Sequence, residues 1–493
     1  MDNVDQEVAS AVDFDVIVVG SGMAGMSAAL EASDNGANVL LVESDTVLGG
    51  NSRFSSGIMM ATGTSLQRAN GLDDHPDDLF QDYLLANHWD VKPSVVRRLA
   101  DELPGTFEWI HGLGVEFAEQ LIPSGEERVP RGHAAVGKGH DIITVLTRHL
   151  RRRPNVDIVL SRRVDRLVVE AGRVRGVAVG DDVVRATTVV LATGGFAGNP
   201  DLFERYLPLA AANDKAWYIT NEISPTAGDI FRLVEPVDAY IEGVDRGGWV
   251  LCTDFDRERQ AYLPGWLVVV NTSGRRFMDE MSPYSVVDPI VRAQGNRVFA
   301  IFDDAAKRAS NPSSIRAATK INLNVSRSHF LEEVIDEQIG TGKVQVGDTV
   351  EDLAEKLGIP PANLAGTLDR YNEDAHRKHD SLFLKNGEQM RPLEQAPFYG
   401  CEMRLSLIAL TACGPAIDAE ARVLRGDQQP VPGLFAAGEC AGGVIGKIYI
   451  GSGNSIANCL VYGRIAGRNA AAARHRTVPS DAGPEVPSAT VTA

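Results

Sequence analysis

Two glycine-rich segments have the spacing that binds phosphate or another anion. The first is GSGMAG at residues 20–25, and the second is IYIGSGNS at residues 448–455. Glycine lets the backbone turn tightly and bring its N–H groups close to an anion. The second segment contains Tyr449 and has no lysine. It therefore has three interpretations: a second nucleotide loop, a simple turn, or part of an active site.

The first segment stands in the context of a dinucleotide-binding unit. It follows the apolar run FDVIVV at 14–19, which predicts a strand buried on both faces, and it precedes the helical pattern MSAALEASDNG. Gly20 permits the tight turn, Gly22 lets the backbone approach a pyrophosphate, and Gly25 lets helix and strand pack closely. A second predicted strand, ANVLLVE, ends in Glu43, at the distance where a carboxylate accepts hydrogen bonds from a ribose.

Three further segments bear on the choice between NAD and FAD. The Gly/Ser-rich stretch at 49–64 follows the ribose acid directly, where an FAD protein leads its backbone along the pyrophosphate and flavin. The stretches at 187–199 and 431–443 each predict a buried strand that runs into small residues. Either of these two alone is compatible with an ordinary strand end. All three in this order favour FAD over NAD.

The bulk composition excludes several classes of partner. The chain has 493 residues, 44% of them hydrophobic, and a formal net charge of −18. The length predicts about two or three domains. Because negative charge repels polyphosphate, nucleic acid and anionic membranes are poor candidates for partners, and we expect a small molecule instead.

The cysteines and the two termini carry little chemistry. The five cysteines are scattered and form no CxxC pattern, so we expect no disulfide framework and no metal site. The N-terminus lacks the pattern of a signal peptide, and no apolar run of about 18 residues could span a bilayer. We therefore expect a cytoplasmic protein. The stretch 475–493 is rich in Pro, Ser, Thr and Ala and predicts a disordered tail.

Several motifs together resemble one superfamily of flavoproteins. They read VVGSGMAG, GGNSRFSSGI, ATGGFAGN, NTSGRRFMDE, PGLFAAGE and GSGNSIANCLVYGRIAG, and they fall within residues 13–470. The chain is similar to the flavoproteins of fumarate reductase and succinate dehydrogenase, a group that includes the 3-ketosteroid dehydrogenases. The match is specific for the superfamily and less specific for any one activity.

The resemblance implies an α/β fold with a discontinuous Rossmann-like FAD-binding domain and an inserted α+β capping domain. The two parts of the FAD domain would comprise 13–240 and 395–474, and the cap would comprise 241–394. In the superfamily the substrate lies between cap and flavin, in agreement with the general preference of ligands for domain interfaces. The cap would include two segments with a helical pattern, DTVEDLAEKLGI and NLAGTLDRYNEDAHRKHD.

The same resemblance predicts the cofactor and its contacts. Some relatives attach the flavin covalently through a histidine in the loop after the ribose acid, and residues 49–58 contain none, so we expect non-covalent FAD. The predicted contacts are Gly20, Ser21, Gly22, Met23, Ala24, Gly25, Glu43, Ser44, Gly49, Gly50, Asn51, Ser52, Ser56, Gly57, Ile58, Val164, Ala192, Thr193, Gly194, Gly438, Glu439, Asn454, Ser455 and Ile456.

The predicted chemistry rests on cations that the fumarate reductases have and this chain lacks. Tyr284 stands where those enzymes have one arginine, and Leu410 stands where they have a histidine. The segment IYIGSG has none of the arginine that they have near the last glycine loop. Arginine grips carboxylates with its planar fork, so its absence makes a dicarboxylate an unlikely substrate. Tyr284 and the Tyr-x-Gly-x-Gly pattern of Tyr449 to Gly453 instead resemble the 3-ketosteroid dehydrogenases.

That branch implies desaturation of the carbon–carbon bond next to a ketone, on a steroid or a smaller cyclic ketone. Tyr284 would be the base that removes the α-proton, while the β-hydrogen passes as hydride to flavin N5. The hydroxyl of Tyr449 and the backbone N–H of Gly453 would stabilise charge on the ketone oxygen. The alternative roles are a contact at the cap interface for Tyr284 and a packed aromatic for Tyr449.

Other hypotheses remain open at this stage. The rival enzyme class is a fumarate-type reductase of an unsaturated acid, and a third class is a flavoprotein without a catalytic role. The ketosteroid delta-1 enzymes have a further active-site tyrosine early in the chain, and 114–139 has none. His133 lies in this stretch, where a structural role is favoured over a catalytic one. The electron acceptor and the direction of reaction are not predicted.

The second glycine segment is thus interpreted as part of the active site. Asn454, Ser455 and Ile456 begin a predicted helix whose N-terminal amides would stabilise negative charge on the N1/O2 edge of the reduced flavin.

Overall fold

A mostly parallel sheet made from both ends of the chain, with antiparallel strands at its margins, forms the centre of the protein. The computed structural model describes residues 12–125, 127–211, 217–218, 227–256, 261–310 and 329–475. The predicted tail from 476 onward lies outside these residues. The strands of this first sheet lie in the order β17, β18, β8, β1, β2, β5, and a hairpin of β6 and β7 joins it along β8. The strands of the described residues are β1 Phe14–Val19, β2 Val39–Val42, β3 Ile58–Met60, β4 Gly132–Ala134, β5 Val156–Val159, β6 Arg166–Glu170, β7 Arg173–Val179, β8 Asp182–Leu191, β9 Trp217–Tyr218, β10 Ile241–Glu242, β11 Gly247–Thr253, β12 Val268–Asn271, β13 Val298–Asp303, β14 Val344–Gly347, β15 Phe398–Thr411, β16 Gly414–Pro415, β17 Arg422–Leu424 and β18 Pro430–Ala436.

Parallel pairing brings four strand ends to one edge of the first sheet. Val19 at the end of β1 lies opposite Val42 of β2 and Leu191 of β8, and Leu191 lies opposite Ala436 of β18. Ligands of open parallel sheets bind at this carboxyl edge. The predicted strands at 14–19, 37–43, 187–199 and 431–443 are all present, because runs of Val, Leu and Ala are buried there on both faces.

A second sheet accompanies the first. Its strands lie in the order β11, β15, β13, β12, and β15 also pairs with β14 and β9. The buried apolar side chains form two main cores, one around each sheet. The division of the chain at 394/395 stays a prediction, and the long strand β15 of the second sheet lies beyond that position.

The helices cover the first sheet and support the second. The helices of the described residues are α1 Met23–Asp34, α2 Ser65–Ala69, α3 Pro76–Ala86, α4 Pro93–Gly112, α5 Lys138–Leu150, α6 Pro200–Tyr206, α7 Pro208–Ala211, α8 Asp229–Val234, α9 Tyr284–Ala293, α10 Asp304–Arg308, α11 Glu332–Gly340, α12 Val350–Leu357, α13 Pro361–His376 and α14 Asn454–Ala472. Helices α12 and α13 confirm the two helical patterns predicted for the cap.

The first and last helices of this set touch through glycines. A Cβ on Gly463 would lie 2.4 Å from the Ala24 carbonyl oxygen, and one on Gly467 would lie 2.2 Å from that of Ala28. The contact is closed at its edge by Arg464, whose Nε lies 2.8 Å from a Glu31 carboxylate oxygen. Small residues thus let α14 lie directly on α1, next to the strand ends of the first sheet.

Within the described part of the chain, no helix combines the length and the apolar character needed to cross a bilayer.

Candidate functional site

A cleft opens at the carboxyl edge of the first sheet. Its empty volume, counted out to open solvent, is about 1390 Å³. Residues directly after the four aligned strands line it, and so do the first turns of α1 and α14. The lining residues are Val19, Gly20, Ser21, Gly22, Met23, Ala24, Val42, Glu43, Ser44, Gly50, Asn51, Ser52, Ser55, Arg162, Arg163, Val164, Ala192, Thr193, Gly194, Ala197, Asp229, Leu233, Leu410, Ala437, Glu439, Ser455, Ile456 and Cys459.

The three glycines of the first turn play different roles. Gly20 has φ +98°, and a Cβ there would lie 2.3 Å from the Ala192 carbonyl oxygen. A Cβ on Gly25 would lie 1.9 Å from the Gly20 carbonyl oxygen. These two glycines let backbone segments touch. Gly22 faces the cleft instead, where a Cβ would meet only the Ser52 Oγ at 3.5 Å.

The carboxylate of Glu43 is buried and hydrogen-bonded to its surroundings. Its Oε2 accepts the Ser21 N–H at 2.8 Å and the Ser21 hydroxyl at 2.5 Å. Its Oε1 accepts the Asp45 N–H at 2.8 Å and the Ser44 hydroxyl at 3.1 Å. These contacts fix the acid beside the glycine turn, as the sequence pattern predicts for a ribose-binding residue.

The loop after Glu43 folds back over the start of α1. Ser52 Oγ accepts the Met23 N–H at 3.2 Å, and Ser21 Oγ accepts the Gly49 N–H at 3.0 Å. Gly57 has φ +72°, and a Cβ there would lie 2.4 Å from the Lys138 backbone, so this end of the loop turns away into close packing. The part of the loop around Ser52 therefore covers the cleft, and the part around Gly57 anchors the loop to the rest of the fold.

Glu439 brings a second, half-buried carboxylate to the cleft. Its Oε1 accepts the N–H and the hydroxyl of Thr411 at 2.9 and 3.0 Å. Burial raises the pKa of Glu439 above its usual value, because the charged form loses its hydration.

The start of α14 is built around a glycine cap and two tyrosines. Gly453 precedes the helix with φ +91°, and a Cβ there would lie 2.5 Å from the Met60 backbone nitrogen. The Tyr449 hydroxyl accepts the Ser455 N–H at 3.3 Å. The Tyr83 hydroxyl donates to the Asn454 Oδ1, and both side chains are fully buried. Ser455 and Ile456 then face the cleft.

An apolar surface adjoins this end of the cleft. Leu410, Ala412 and Ile445 form a small buried cluster, and the ring of Tyr449 packs against it. We call these four residues the apolar wall. Leu410 also lines the cleft itself, so the wall and the start of α14 meet at the same place.

Tyr284 is the first residue of α9, and its side chain lies outside the described part of the structure. The segment before it is held by buried ions. Glu280 accepts hydrogen bonds from Arg276 at 2.8 Å and from the Lys385 ammonium at 2.8 Å, and its side chain is 0% exposed. Arg276 also pairs with Asp380 at 2.7 Å. The RRFMDE motif thus has a structural function, because its ion pairs hold in place the chain segment that leads to Tyr284.

His133 is a structural residue, in line with the favoured interpretation. It is fully buried, and its ring nitrogens lie 2.9 Å from the Thr64 Oγ1 and 2.8 Å from the Arg131 carbonyl oxygen. Burial lowers the pKa of His133 to about 4, so the ring is neutral at pH 7.

Most of the predicted cofactor contacts lie along the cleft, and the others support it. The predicted residues that do not line it are Gly25, Gly49, Ser56, Gly57, Ile58, Gly438 and Asn454. The roles of all these residues in FAD binding stay predictions. Gly453, predicted to supply an oxyanion contact, does not line the cleft, and its carbonyl accepts the Met60 N–H at 3.1 Å.

Sequence reasoning missed several lining residues. Cys459 lies one turn after Ile456 on α14, and the i, i+3 spacing of a helix face would have found it. Arg163 and Asp229 form an ion pair with an N–O distance of 2.6 Å at another part of the cleft. Nothing in the local sequence of either residue signals this pair. No group of metal-ligating side chains occurs among the residues that the structure describes.

The cleft fits a dinucleotide. A Cβ on Gly194 would meet no atom within 4 Å, and one on Gly22 would meet only Ser52, so both backbones border open space. The N-terminus of α1 borders that space through Gly22, Met23 and Ala24, and a helix N-terminus favours a pyrophosphate. Glu43 stands at the end of β2, and Ser455 stands across the cleft at the start of α14.

This arrangement defines a nucleotide-binding flavoprotein of the α/β class. More particularly, the chain belongs to the FAD binding domain family, whose profile matches residues 15–456. FAD is its cofactor.

Relatives with named activities match along nearly the whole chain. It is 30% identical to the NADH:fumarate oxidoreductase of Klebsiella pneumoniae (strain 342), over 94% of this chain and 48% of that protein. It is 32% identical to the probable fumarate reductase Ifc3 of Shewanella frigidimarina (strain NCIMB 400), over 92% and 74% of the two chains. It is 27% identical to the vinyl phenol reductase of Lactiplantibacillus plantarum, over 94% and 97%. The chain thus spans about half the length of the first of these relatives and nearly all of the last.

Solved structures share the fold. A flavocytochrome c3 fumarate reductase in its open conformation superposes with a TM-score of 0.67 at 30% identity, over 94% of this chain and 79% of that one. The 3-ketosteroid-delta4-(5alpha)-dehydrogenase of Rhodococcus jostii RHA1 superposes with a TM-score of 0.76 at 26% identity, over 94% and 98%.

These comparisons confirm the superfamily and the cofactor and correct the predicted reaction. The expectation that the chain desaturates a steroid or cyclic ketone, with Tyr284 as base, is wrong. The relatives are named as reductases of fumarate, urocanate, vinyl phenol and acrylate, and the ketosteroid dehydrogenases appear as structural neighbours at lower identity. The rival hypothesis, reduction of an unsaturated compound, agrees better. The error arose because the absence of three cations and the positions of Tyr284 and Tyr449 were taken to indicate the ketosteroid branch, although these residues concern how a substrate is held and not which reaction the flavin carries out.

Proposed function

We propose that the protein is an FAD-dependent reductase that saturates an activated carbon–carbon double bond in a small molecule. The relatives support this proposal, because those with named activities reduce double bonds conjugated to an acid or an aromatic ring. The observation that carries it is the junction of the FAD cleft with the apolar wall at the start of α14. FAD, when bound and reduced, supplies a hydride to one carbon of the double bond.

The apolar wall bears on the chemical class of the substrate. Leu410, Ala412, Ile445 and the ring of Tyr449 offer no cation, and burying a carboxylate without a partner costs several kcal/mol. The part of the substrate that lies against this wall is therefore uncharged, such as an aromatic ring or an alkyl group. A monoacid that turns its carboxylate away from the wall remains compatible with the site, while a dicarboxylate is a poor fit.

The tyrosines supply the proton and orient the substrate. Tyr284, whose catalytic role rests on the sequence pattern alone, would donate its hydroxyl proton to the carbon next to the one that receives the hydride, and solvent would then reprotonate the tyrosinate. The two electrons and one proton of the hydride, together with this second proton, account for the two hydrogens gained by the alkene. Tyr449, whose hydroxyl lies beside the first turn of α14, donates a hydrogen bond to the polar group that activates the double bond.

A reoxidation experiment tests the proposal. The FAD-loaded protein is reduced by one equivalent of dithionite without oxygen and is then mixed with fumarate, acrylate, urocanate or 4-vinylphenol while the flavin spectrum is followed. We expect reoxidation by at least one of these alkenes, a faster reaction with vinylphenol than with fumarate, and a product two hydrogens heavier by mass spectrometry. Oxygen serves as the control that shows the flavin to be competent.

Two outcomes separate the parts of the proposal. If no alkene reoxidises a flavin that oxygen does reoxidise, the assignment as a reductase is wrong. If fumarate reacts faster than every uncharged or singly charged alkene, the reductase stands and the role of the apolar wall is wrong.

A further inference from the structure

Tyr83 lies far from the predicted site residues in sequence and contacts the cleft only through another side chain. It sits on α3 and is 0% exposed. Its hydroxyl donates to the Asn454 Oδ1 at the first residue of α14, 371 positions further along the chain. Nothing in the motifs of the sequence signals this contact.

The first turn of α14 depends on groups from outside the helix. Its N-cap is Gly453, which has no side chain to accept a hydrogen bond from the free N–H groups. The Ser455 N–H is bonded to the Tyr449 hydroxyl at 3.3 Å, and the Asn454 side chain is bonded to Tyr83. Two tyrosines therefore add side-chain contacts to a turn that the backbone bonds of Asn454 to Gly451 and of Ala457 to Gly453 also hold.

The contact with Tyr83 also determines which way the Asn454 amide points. With Oδ1 turned to the Tyr83 hydroxyl, Nδ2 is buried and has no hydrogen-bond partner among the described residues. A buried donor without an acceptor raises the free energy of the folded protein, and a hydrogen-bond partner would remove this penalty. Ser455 and Ile456, the next two residues, face the FAD cleft.

We propose that Tyr83 is a positioning residue for the flavin: it holds Asn454 so that the first turn of α14 presents its donors to the reduced cofactor. A reduced flavin gains negative charge, and the N-terminus of a helix stabilises negative charge through its free N–H groups. Loss of the Tyr83 hydroxyl lets this turn relax and weakens that stabilisation. The proposal rests on FAD binding alone and does not depend on which alkene is reduced.

The test measures the reduction potential of bound FAD in Tyr83→Phe. The protein is equilibrated anaerobically with a reference dye, and the ratio of reduced to oxidised flavin is read from the spectrum. We expect that ratio to fall three- to tenfold at a fixed potential, where tenfold corresponds to about 30 mV for a two-electron couple. Asn454→Ala should shift the ratio in the same direction, and adding Tyr83→Phe to it should change nothing further.

Tyr462→Phe is the matched control. Tyr462 is also fully buried, lies on α14 itself, and donates to the Val95 carbonyl oxygen at 2.8 Å, but it does not line the cleft. Both tyrosine variants should lose a similar amount of thermal stability, while only Tyr83→Phe shifts the potential. The proposal is overturned if both variants shift the potential equally or if neither does. Should Tyr83→Phe fail to fold, an unchanged potential in Asn454→Ala overturns it in the same way.

Discussion

The hydrogen bonds of Glu43 show how one acidic residue organises the nucleotide end of the cleft. An ionised carboxylate has about four acceptor positions. Four donors fill them here: the N–H and the hydroxyl of Ser21, the N–H of Asp45 and the hydroxyl of Ser44. A ribose hydroxyl that bound Glu43 would therefore have to share or replace one of these four donors.

The proposed role of Tyr284 predicts a selective loss of turnover. In Tyr284→Phe the hydride can still be transferred, but the proton must come from water, and general acid catalysis typically contributes about 10²- to 10⁴-fold. We expect kcat to fall by about that factor with little change in FAD content. Tyr240→Phe, at a surface tyrosine that is 47% exposed and outside the cleft, is the control. Equal activity of the two variants in steady-state assays with a viologen donor would remove Tyr284 from the mechanism.

The buried His133 predicts part of the acid sensitivity of the fold. Its pKa is about 4 in the folded protein and 6.5 in the unfolded chain. Below about pH 6.5 the unfolded state therefore binds a proton that the folded state does not bind. Stability is thus fully present above that pH and falls as the pH drops towards 4, by roughly 3 kcal/mol at the limit. Urea unfolding between pH 7 and about pH 4 spans the two pKa values of His133. Over this range the free energy of unfolding should fall less in His133→Gln than in the wild type. Parallel curves for the two proteins would contradict this assignment.

At the residue scale the sequence predicted what depends on local spacing. Gly20, Gly22 and Gly25 follow a strand at fixed offsets, and their different packing agrees with the roles that the pattern assigned. The pair of Arg163 and Asp229 could not be predicted, because 66 residues separate them and only the tertiary fold brings them together.

At the scale of elements, α1 and α14 act as one unit. Both helices begin at the cleft, and Gly463 and Gly467 let their backbones touch. The sequence predicted the strands and both helices from apolar runs and glycine turns. It did not reveal that β15 belongs to the second sheet and reaches the cleft at Leu410, because a run of mixed residues gives no information about its pairing partners.

The close contact between α1 and α14 predicts that one added methyl group on Gly467 lowers the stability of the protein. In Gly467→Ala the new Cβ would lie 2.2 Å from the Ala28 carbonyl oxygen, so the helices must separate. We expect a loss of about 1–3 kcal/mol in the free energy of unfolding, as for other overpacked cores, together with weaker FAD binding. Gly366→Ala on α13 is the control, since a Cβ there meets no atom within 4 Å. Urea unfolding and the FAD content after gel filtration provide the measurements. Similar values for the two variants would show that the contact between α1 and α14 accommodates the added methyl group.

At the scale of the whole molecule, the cleft brings together segments that are distant in sequence. The cleft takes residues from near positions 20, 43, 52, 163, 193, 439 and 456. A ligand that binds only the folded state stabilises it by about 2.7 kcal/mol at one hundred times its dissociation constant. The cofactor thus contributes to the fold as well as to the chemistry.

Removal of FAD should therefore lower the unfolding temperature reversibly. We expect protein stripped of FAD to unfold at a lower temperature and to recover in proportion to added FAD. FMN, which lacks the adenosine half, should restore less, because it is smaller and would make fewer contacts along the cleft. Calorimetric scans at several FAD concentrations check this, and an unfolding temperature that is independent of FAD would show that the cleft is formed without help from the cofactor.

The position of β18 and α14 late in the chain has a consequence for biosynthesis. Strand β18 pairs with β8, and α14 covers α1, so the nucleotide cleft lacks a wall until residues 430–472 have been made. A chain that emerges from the ribosome N-terminus first must hold the apolar face of α1 uncovered through most of its translation. Binding of FAD at this cleft therefore requires that translation has passed these residues. A chain that stopped before α14 would keep most strands of the first sheet and lack this side of the cleft.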